Sequence, residues 1–298
     1  MVSTPQIGVV TVTFNSGEVL APFLNCAFRQ TLSDFILFVV DNASSDDTLQ
    51  VLKECGDERL RVITNLDNRG VAEANNQGIR AALEAGCGSV LLLNNDTEFP
   101  EDLFVRLLEG LDVHGCDMTT GKILYFTPAD LIWCAGGSLD RKRFFGASHF
   151  GNGEKDSGQY QEALRISYTP TCCLLVHRSV FNRIGLMDSK YFVYSDDVDF
   201  LYRCLKQDLS LWYIPGATLH HKVSSLTGGD DSEFSIRYMT RNRMYFLRKH
   251  LPLWKTLLWG IHFMTFTAPK RLLLGKDSIK IWRLRCISLV EGLRMDHD

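Results

Sequence analysis

The chain has 298 residues, of which 45% are hydrophobic and 22% charged, enough for one large core or two fused lobes and too apolar for global disorder. Its net charge of −3 hides an asymmetry: residues 237–298 carry 13 Lys and Arg against 4 Asp and Glu, the remainder 19 against 31. A basic tail on an acidic body points the tail at something anionic, a lipid surface before a nucleic acid, because the acidic body would repel a phosphate backbone.

Residues 7–13 are β-branched and apolar and read as a first strand. Residues 17–28 read as a helix, and 35–41 as a second strand closed by Asp41-Asn42. Ser45 is placed to cap the next helix, with Asp46 and Asp47 at the positive end of its dipole. A short third strand at 60–64 leads to a helix over 71–85, ended by Gly86 and Gly88. Residues 89–93 form a fourth strand, and Pro100 stands near the start of another helix. Alternating strands and helices predict an α/β fold, a mostly parallel central sheet flanked by helices. Near residue 112 the rhythm breaks. Residues 133–160 are rich in Gly, aromatic and polar residues, a long excursion of the kind that tends to carry function. Residues 168–177 return as a strand and 197–206 as a helix. From Phe234 the pattern is helical, basic and aromatic. The expected divisions are 1–112, 113–233 and 234–298.

The nine cysteines lack any CxxC pair, which argues against zinc and for reduced thiols. Residues 1–12 lack a signal peptide's features, and no apolar run reaches the roughly 18 residues of a membrane span. The expected location is cytoplasmic, with a tail suited to the inner membrane face. There, an apolar run from Leu257 to Ala268 is flanked by Arg248, Lys249, Lys255, Lys270 and Arg271, a pattern for an interfacial helix, a core helix or a dimer contact. Whether the chain forms a homo-oligomer stays open.

The polar ends of three strands carry the chemistry. No GxGxxG follows the first strand, and residues 115–122 miss a P-loop by one residue of spacing and by Ile123 where Ser or Thr is needed. Ordinary dinucleotide binding and P-loop hydrolysis are therefore disfavoured. In their place stand Thr11-Val12-Thr13-Phe14-Asn15, Asp41-Asn42-Ala43-Ser44, and Leu91-Leu92-Leu93-Asn94-Asn95-Asp96-Thr97. In open α/β sheets such ends line one crevice. Asp41 can accept the N3–H of a pyrimidine, and Asp96 suits a cation under a diphosphate. Arg69, Asn75, Asn76 and Gly78 occupy a helix start where a ligand can approach backbone and where Arg69 can offset phosphate charge.

Asp196, Asp197 and Asp199 repel one another unless a cation or a proton intervenes. Arg203 lies four residues beyond Asp199 and can pair with it, leaving Asp196 or Asp197 free to act as a general base. His220-His221, before a Gly-rich stretch, can complete a metal site begun by Asp96, and Ser224 to Gly229 suit a flap over a phosphate.

These motifs together, spread over residues 7–250, resemble a family 2 glycosyltransferase of the GT-A fold. The resemblance runs closest to bacterial rhamnosyltransferases and galactofuranosyltransferases of cell-surface polysaccharide synthesis. It implies a metal-dependent, inverting transfer from a pyrimidine nucleoside diphosphate sugar, with dTDP-rhamnose favoured, to a saccharide or lipid-linked saccharide. Asp197 is then the catalytic base, with Asp196, Asp199 and Arg203 supporting it. Thr11, Phe14, Asn15, Asp41, Arg69, Asn76, Asn95 and Asp96 contact the donor. Asp96 and His221 hold Mg²⁺ or Mn²⁺. The family's acidic metal motif falls on Asn94-Asn95-Asp96, acidic here only at its last position. A non-catalytic nucleotide-sugar binder or membrane scaffold is the rival that Asn94 and Asn95 would suit. A sugar-phosphate nucleotidyltransferase fits less well, lacking a basic Gly-rich loop after the first strand.

Overall fold

The first third of the chain alternates strand and helix: β1 (Ile7–Thr13), α1 (Gly17–Phe28), β2 (Phe35–Asp41), α2 (Thr48–Glu54), β3 (Leu60–Thr64), α3 (Gly70–Glu84) and β4 (Ser89–Leu93). The structure is a computed structural model that describes residues 6–222, 232–275 and 277–296. These four strands run parallel in the order β3-β2-β1-β4. β1, β2 and β4 are covered on both faces, which is why each is a continuous apolar run without alternation. β3 lies at the sheet edge, and Arg61, Val62 and Thr64 are exposed there.

Next come β5 (Thr97–Glu98), α4 (Leu103–His114), β6 (Met118–Tyr125), β7 (Ile132–Cys134), β8 (Gly137–Asp140), β9 (Gly146–His149), β10 (Leu164–Ile166), β11 (Cys173–His177), α5 (Arg178–Ile184), α6 (Asp196–Lys206) and β12 (Leu211–His221). β11 runs antiparallel between β4 and β6, and β12 lies parallel to β6. The end of β12 turns its last two residues onto β5, so that His221 faces Thr97. That two-residue pairing joins residues over a hundred positions apart.

Three local details depart from the sequence reading. Ser45 does not cap α2: its N–H donates to Asn15 Oδ1, and Asp46 accepts from Thr48 N and Oγ1 at the helix start. The returning strand begins at Cys173 and not at residue 168, the chain before it passing through Pro170, which has no N–H for a ladder. The excursion over 133–160 holds short strands, of which β8 and β9 pair as a hairpin. α3 keeps its poor helix formers for packing. A Cβ on Gly78 would lie 2.3 Å from Val10 Cγ1, so only glycine lets the helix settle on β1.

The described residues divide into two compact units, one within Met1–Phe192 and Asp196–Val223, the other within Val193–Ser195 and Ser224–Asp298. The second contains α7 (Glu233–His250), α8 (Leu253–His262), a π-helical stretch Phe263–Thr267, α9 (Ala268–Leu273) and α10 (Ile279–Arg294). Ser232 and Ser278 cap α7 and α10 with their hydroxyls. Gly292 lets α10 press on α7, where a Cβ would lie 2.0 Å from the Arg241 carbonyl oxygen.

Candidate active site

β1 and β2 are in register so that Thr13 faces Asp41 at their carboxyl ends. Asp41 is buried and already holds three hydrogen bonds. Its Oδ1 accepts from Thr13 Oγ1 at 2.9 Å and from Ser44 Oγ at 2.5 Å, and its Oδ2 accepts from Ser44 N at 3.0 Å. A carboxylate offers about four acceptor positions, so Oδ2 retains capacity for one more donor. Asn15, in the left-handed region at φ 50°, ties the two loops together: its N–H donates to Ser44 Oγ and its Oδ1 accepts from Ser45 N. Phe14 beside it is exposed. Thr13 and Ser44 are the supports that a reading of isolated residues does not single out.

Several expected donor contacts are placed otherwise. Thr11 sits two residues inside the end of β1, faces Val39 and is 1% exposed, too deep to reach a ligand. Asn76 spends both ends of its amide on the main chain of Met187, its Nδ2 donating to the carbonyl and its Oδ1 accepting from the N–H. Asn95 is also a brace: its Nδ2 donates to Val12 O at 2.6 Å and Ser16 Oγ at 3.1 Å, bolting the end of β4 to β1. Arg69, unlike these three, keeps an exposed guanidinium, paired with Asp67 in a contact of a kind that contributes little.

Asp96 and His221 meet because β5 pairs with the end of β12. His221 Nε2 lies 3.1 Å from Asp96 Oδ1, both side chains nearly fully buried. The main chain repeats the link, with Lys222 N donating to Asp96 O at 2.9 Å. His221 Nδ1 is buried with no hydrogen-bond partner among the described residues. Two ligands at about 2.1 Å on neighbouring corners of an octahedron sit about 3 Å apart, so this oxygen and nitrogen are spaced to share one divalent cation. No group of three His, Cys, Asp or Glu stands ready for a metal among the described residues, so the other positions would fall to a ligand's phosphates and to water. The expected flap from Ser224 to Gly229 lies outside the described residues.

α6 opens with the acidic cluster. Asp199 is fully buried and neutralised: its Oδ2 accepts from Arg203 Nε at 2.8 Å, while Arg203 also donates to the carbonyls of Ile184 and Leu186. Asp197 Oδ2 accepts from Tyr168 Oη at 2.6 Å, and its Oδ1 from Val198 N. Burial raises the affinity of Asp197 for a proton, against the Tyr168 hydrogen bond, which lowers it. Asp196 is pushed up as well, to about 7, first by burial and then by the charge of Asp197. Its Oδ2 is buried without a hydrogen-bond partner among the described residues. Asp196 and Asp197 therefore titrate as one coupled pair, both raised by burial, with the hydrogen bonds from Tyr168 and Val198 favouring the charged form at Asp197. The backbone ahead is strained, with Phe192, Tyr194 and Ser195 all at φ between 63° and 65°. Non-glycine residues there cost on the order of 1–3 kcal/mol each and cluster at functional sites.

An unbroken run of ring contacts connects the two acidic centres. Trp133 packs edge-on against His221 at 4.7 Å and against His149 at 4.9 Å, and His149 stacks on Tyr168 at 5.7 Å between centroids. His149 Nδ1 lies 3.1 Å from Trp133 O, and burial lowers its affinity for a proton. Asp96, His221, Trp133, His149, Tyr168 and Asp197 thus form one contiguous wall. Trp133 and His149 come from the aromatic excursion, whose composition marked the region without marking the residues.

The family model described as Glycosyl transferase family 2 matches residues 8–185. The N-acetylglucosaminyl-diphospho-decaprenol L-rhamnosyltransferase of Mycobacterium tuberculosis (strain CDC 1551 / Oshkosh) is 26% identical over 310 aligned positions, covering 97% of this chain and 99% of its own. The dTDP-rhamnosyl transferase RfbF of Shigella flexneri is 23% identical over 271, covering 86% of this chain and 85% of its own. Among solved structures, GalNAc-T7 with UDP, GalNAc and Mn²⁺ superposes with a TM-score of 0.61 at 14% identity, over 84% of this chain and 51% of that one. The chain spans about half the length of GalNAc-T7, and the likeness is one of fold.

Proposed function

Because the chain belongs to glycosyl transferase family 2 and has the GT-A fold, we propose that it moves a sugar from a pyrimidine nucleoside diphosphate to a saccharide or lipid-linked saccharide, inverting the anomeric carbon. dTDP-rhamnose is the favoured donor. Support for the sugar comes from the two relatives, both named as rhamnosyltransferases, one of them for dTDP-rhamnose and the other for a diphospho-decaprenol acceptor. Support for the base comes from Asp41, whose remaining acceptor position suits the N3–H of thymine or uracil. Phe14 offers a ring face to the base, and Arg69 exchanges its exposed pair with Asp67 for a phosphate.

The single observation that carries the reading is the continuous wall from Asp96 to Asp197. Asp197 takes the proton from an acceptor hydroxyl as that oxygen bonds to the anomeric carbon. The bond from that carbon to the diphosphate oxygen breaks, and the electron pair leaves with the nucleoside diphosphate. Tyr168 holds Asp197 in place for this. Asp96 and His221 would hold a divalent cation, Mg²⁺ or Mn²⁺, with the imidazole nitrogen favouring Mn²⁺. Such an ion supplies positive charge to the departing diphosphate.

A thermal-shift panel of nucleotide sugars with and without Mn²⁺ tests the donor and the metal together. The expected result is the largest stabilisation with dTDP-rhamnose and Mn²⁺, and its loss in His221→Ala. No stabilisation by any pyrimidine nucleotide sugar would sink the reading.

A further inference from the structure

The face that α8 and its continuation turn to solvent is made of the wrong residues for solvent. Leu253, Trp254, Leu257, Leu258, Ile261 and Phe266 are between 44% and 66% exposed. Their spacing puts them on one stripe, which runs from α8 through the π-helical stretch. The side turned inward is made of small residues. Thr256 and Ala268 are fully buried, Thr256 Oγ1 donates to Leu247 O at 3.0 Å, and a Cβ on Gly260 would lie 3.0 Å from Met244 Cε. α8 therefore settles on α7 through small groups and presents its bulk outward. Beyond α8, Leu273 and Leu274 are 86% and 59% exposed. Monomeric soluble proteins rarely leave so large a contiguous apolar patch in water.

Charge says what covers it. Residues 251–276 contain four basic residues, Lys255, Lys270, Arg271 and Lys276, and no Asp or Glu. Lys255 Nζ lies 5.3 Å over the Trp254 ring, and Lys270 is exposed. Aromatic rings beside lysines at the rim of an apolar stripe match the boundary between lipid headgroups and acyl chains. No helix among the described residues is long and apolar enough to cross a membrane, so the stripe suits lying in the surface plane. A second copy would bring the same cations to the same rim, with no acidic residue in the segment to meet them. We propose that this face rests in the surface of an anionic lipid bilayer, with the stripe among the upper acyl chains and Lys255 and Lys270 at the headgroups.

Co-sedimentation of the full chain with vesicles tests this independently of the donor reading, which can fail without altering the outcome. Binding to phosphatidylglycerol–phosphatidylcholine vesicles is expected to exceed binding to pure phosphatidylcholine by about tenfold or more, each lysine near an anionic surface adding to the attraction. The double variant Leu257→Glu/Ile261→Glu changes only exposed positions. It should keep the wild-type circular dichroism and lose vesicle binding by about tenfold or more. Lys255→Glu/Lys270→Glu should retain the stripe and lose the preference for anionic vesicles. Four results would overturn the proposal: absence of wild-type binding, equal binding to the two vesicle types, undiminished binding by the glutamate variant, or a stable dimer that the glutamate variant dissolves. The last would assign the face to a second copy of the chain.

Discussion

Asp41, at the end of β2, and Asp196, at the start of α6, are both buried carboxylates, and their surroundings are opposite. Asp41 is held by three donors from two loops, and the backbone around it is strained only at Asn15 and Ala43. Asp196 is buried beside a second carboxylate, with one oxygen that no described residue donates to and three left-handed residues just ahead of it. The first arrangement is a finished acceptor that can read a ligand without reorganising. The second crowds two buried carboxylates together, an arrangement that suits the proton transfer proposed for Asp197 better than it suits binding.

If that contrast is functional, the largest effect belongs to Asp197. Asp197→Asn keeps the shape and removes the base, so turnover should fall by about 10²–10⁴-fold. Donor affinity, read by calorimetry, should stay within experimental scatter of the wild type. Near-normal turnover would strip Asp197 of its role and erase the contrast.

The mirror experiment is Asp41→Ala. The change leaves Ser44 N and the Thr13 hydroxyl without their acceptor, which should destabilise the fold by about 1–3 kcal/mol in denaturant titrations. Donor affinity should drop by roughly 10–100-fold, the range for one hydrogen bond to a charged group, while turnover at saturating donor changes little. A loss of turnover with affinity intact would mean that the two carboxylates had been assigned the wrong way round.

A smaller effect separates positioning from chemistry. Tyr168→Phe deletes the 2.6 Å bond to Asp197 and leaves the ring packed on His149. Since that bond lowers the proton affinity of Asp197, its loss should move the acid limb of the pH–rate profile upward by about one unit. The plateau should fall only several-fold. A Tyr168 that merely filled space would leave the limb where it was.

What could be read from the residues follows the same division. Strands buried on both faces announce themselves as apolar runs, so β1, β2 and β4, and the carboxylates that end β2 and follow β4, are visible in the chain. The pairing of Asp199 with Arg203 is visible too, because four residues make one helical turn. The contact of His221 with Asp96 depends on a two-residue strand, β5, that has no periodicity to detect. Trp133, His149 and Tyr168 lie on three separate segments and become one wall only through tertiary packing. Asn76 and Asn95 misled for the opposite reason. An amide in a helix's first turns or just past a strand end suits a ligand or a brace equally well, and only the positions of Met187, Val12 and Ser16 decide for the brace.

The smallest effect is on stability and carries the sign of the stored charge. In the unfolded chain an Asp releases its proton near 3.8, whereas folded Asp196 holds it up to about 7. Below 3.8 both states are protonated and the carboxyl costs folding nothing. As pH rises, the unfolded state gains by ionising first, and stability falls until the folded group also ionises, after which the deficit is constant. Asp196→Asn cannot ionise and escapes that deficit. The variant should be more stable than the wild type at pH 8, on the order of 1–3 kcal/mol once the unpaired amide is allowed for. The difference should shrink steadily toward pH 4. A variant less stable at pH 8 than at pH 4, relative to wild type, would mean that Asp196 is anchored by donors like Asp41, and the two carboxylates would no longer differ in kind.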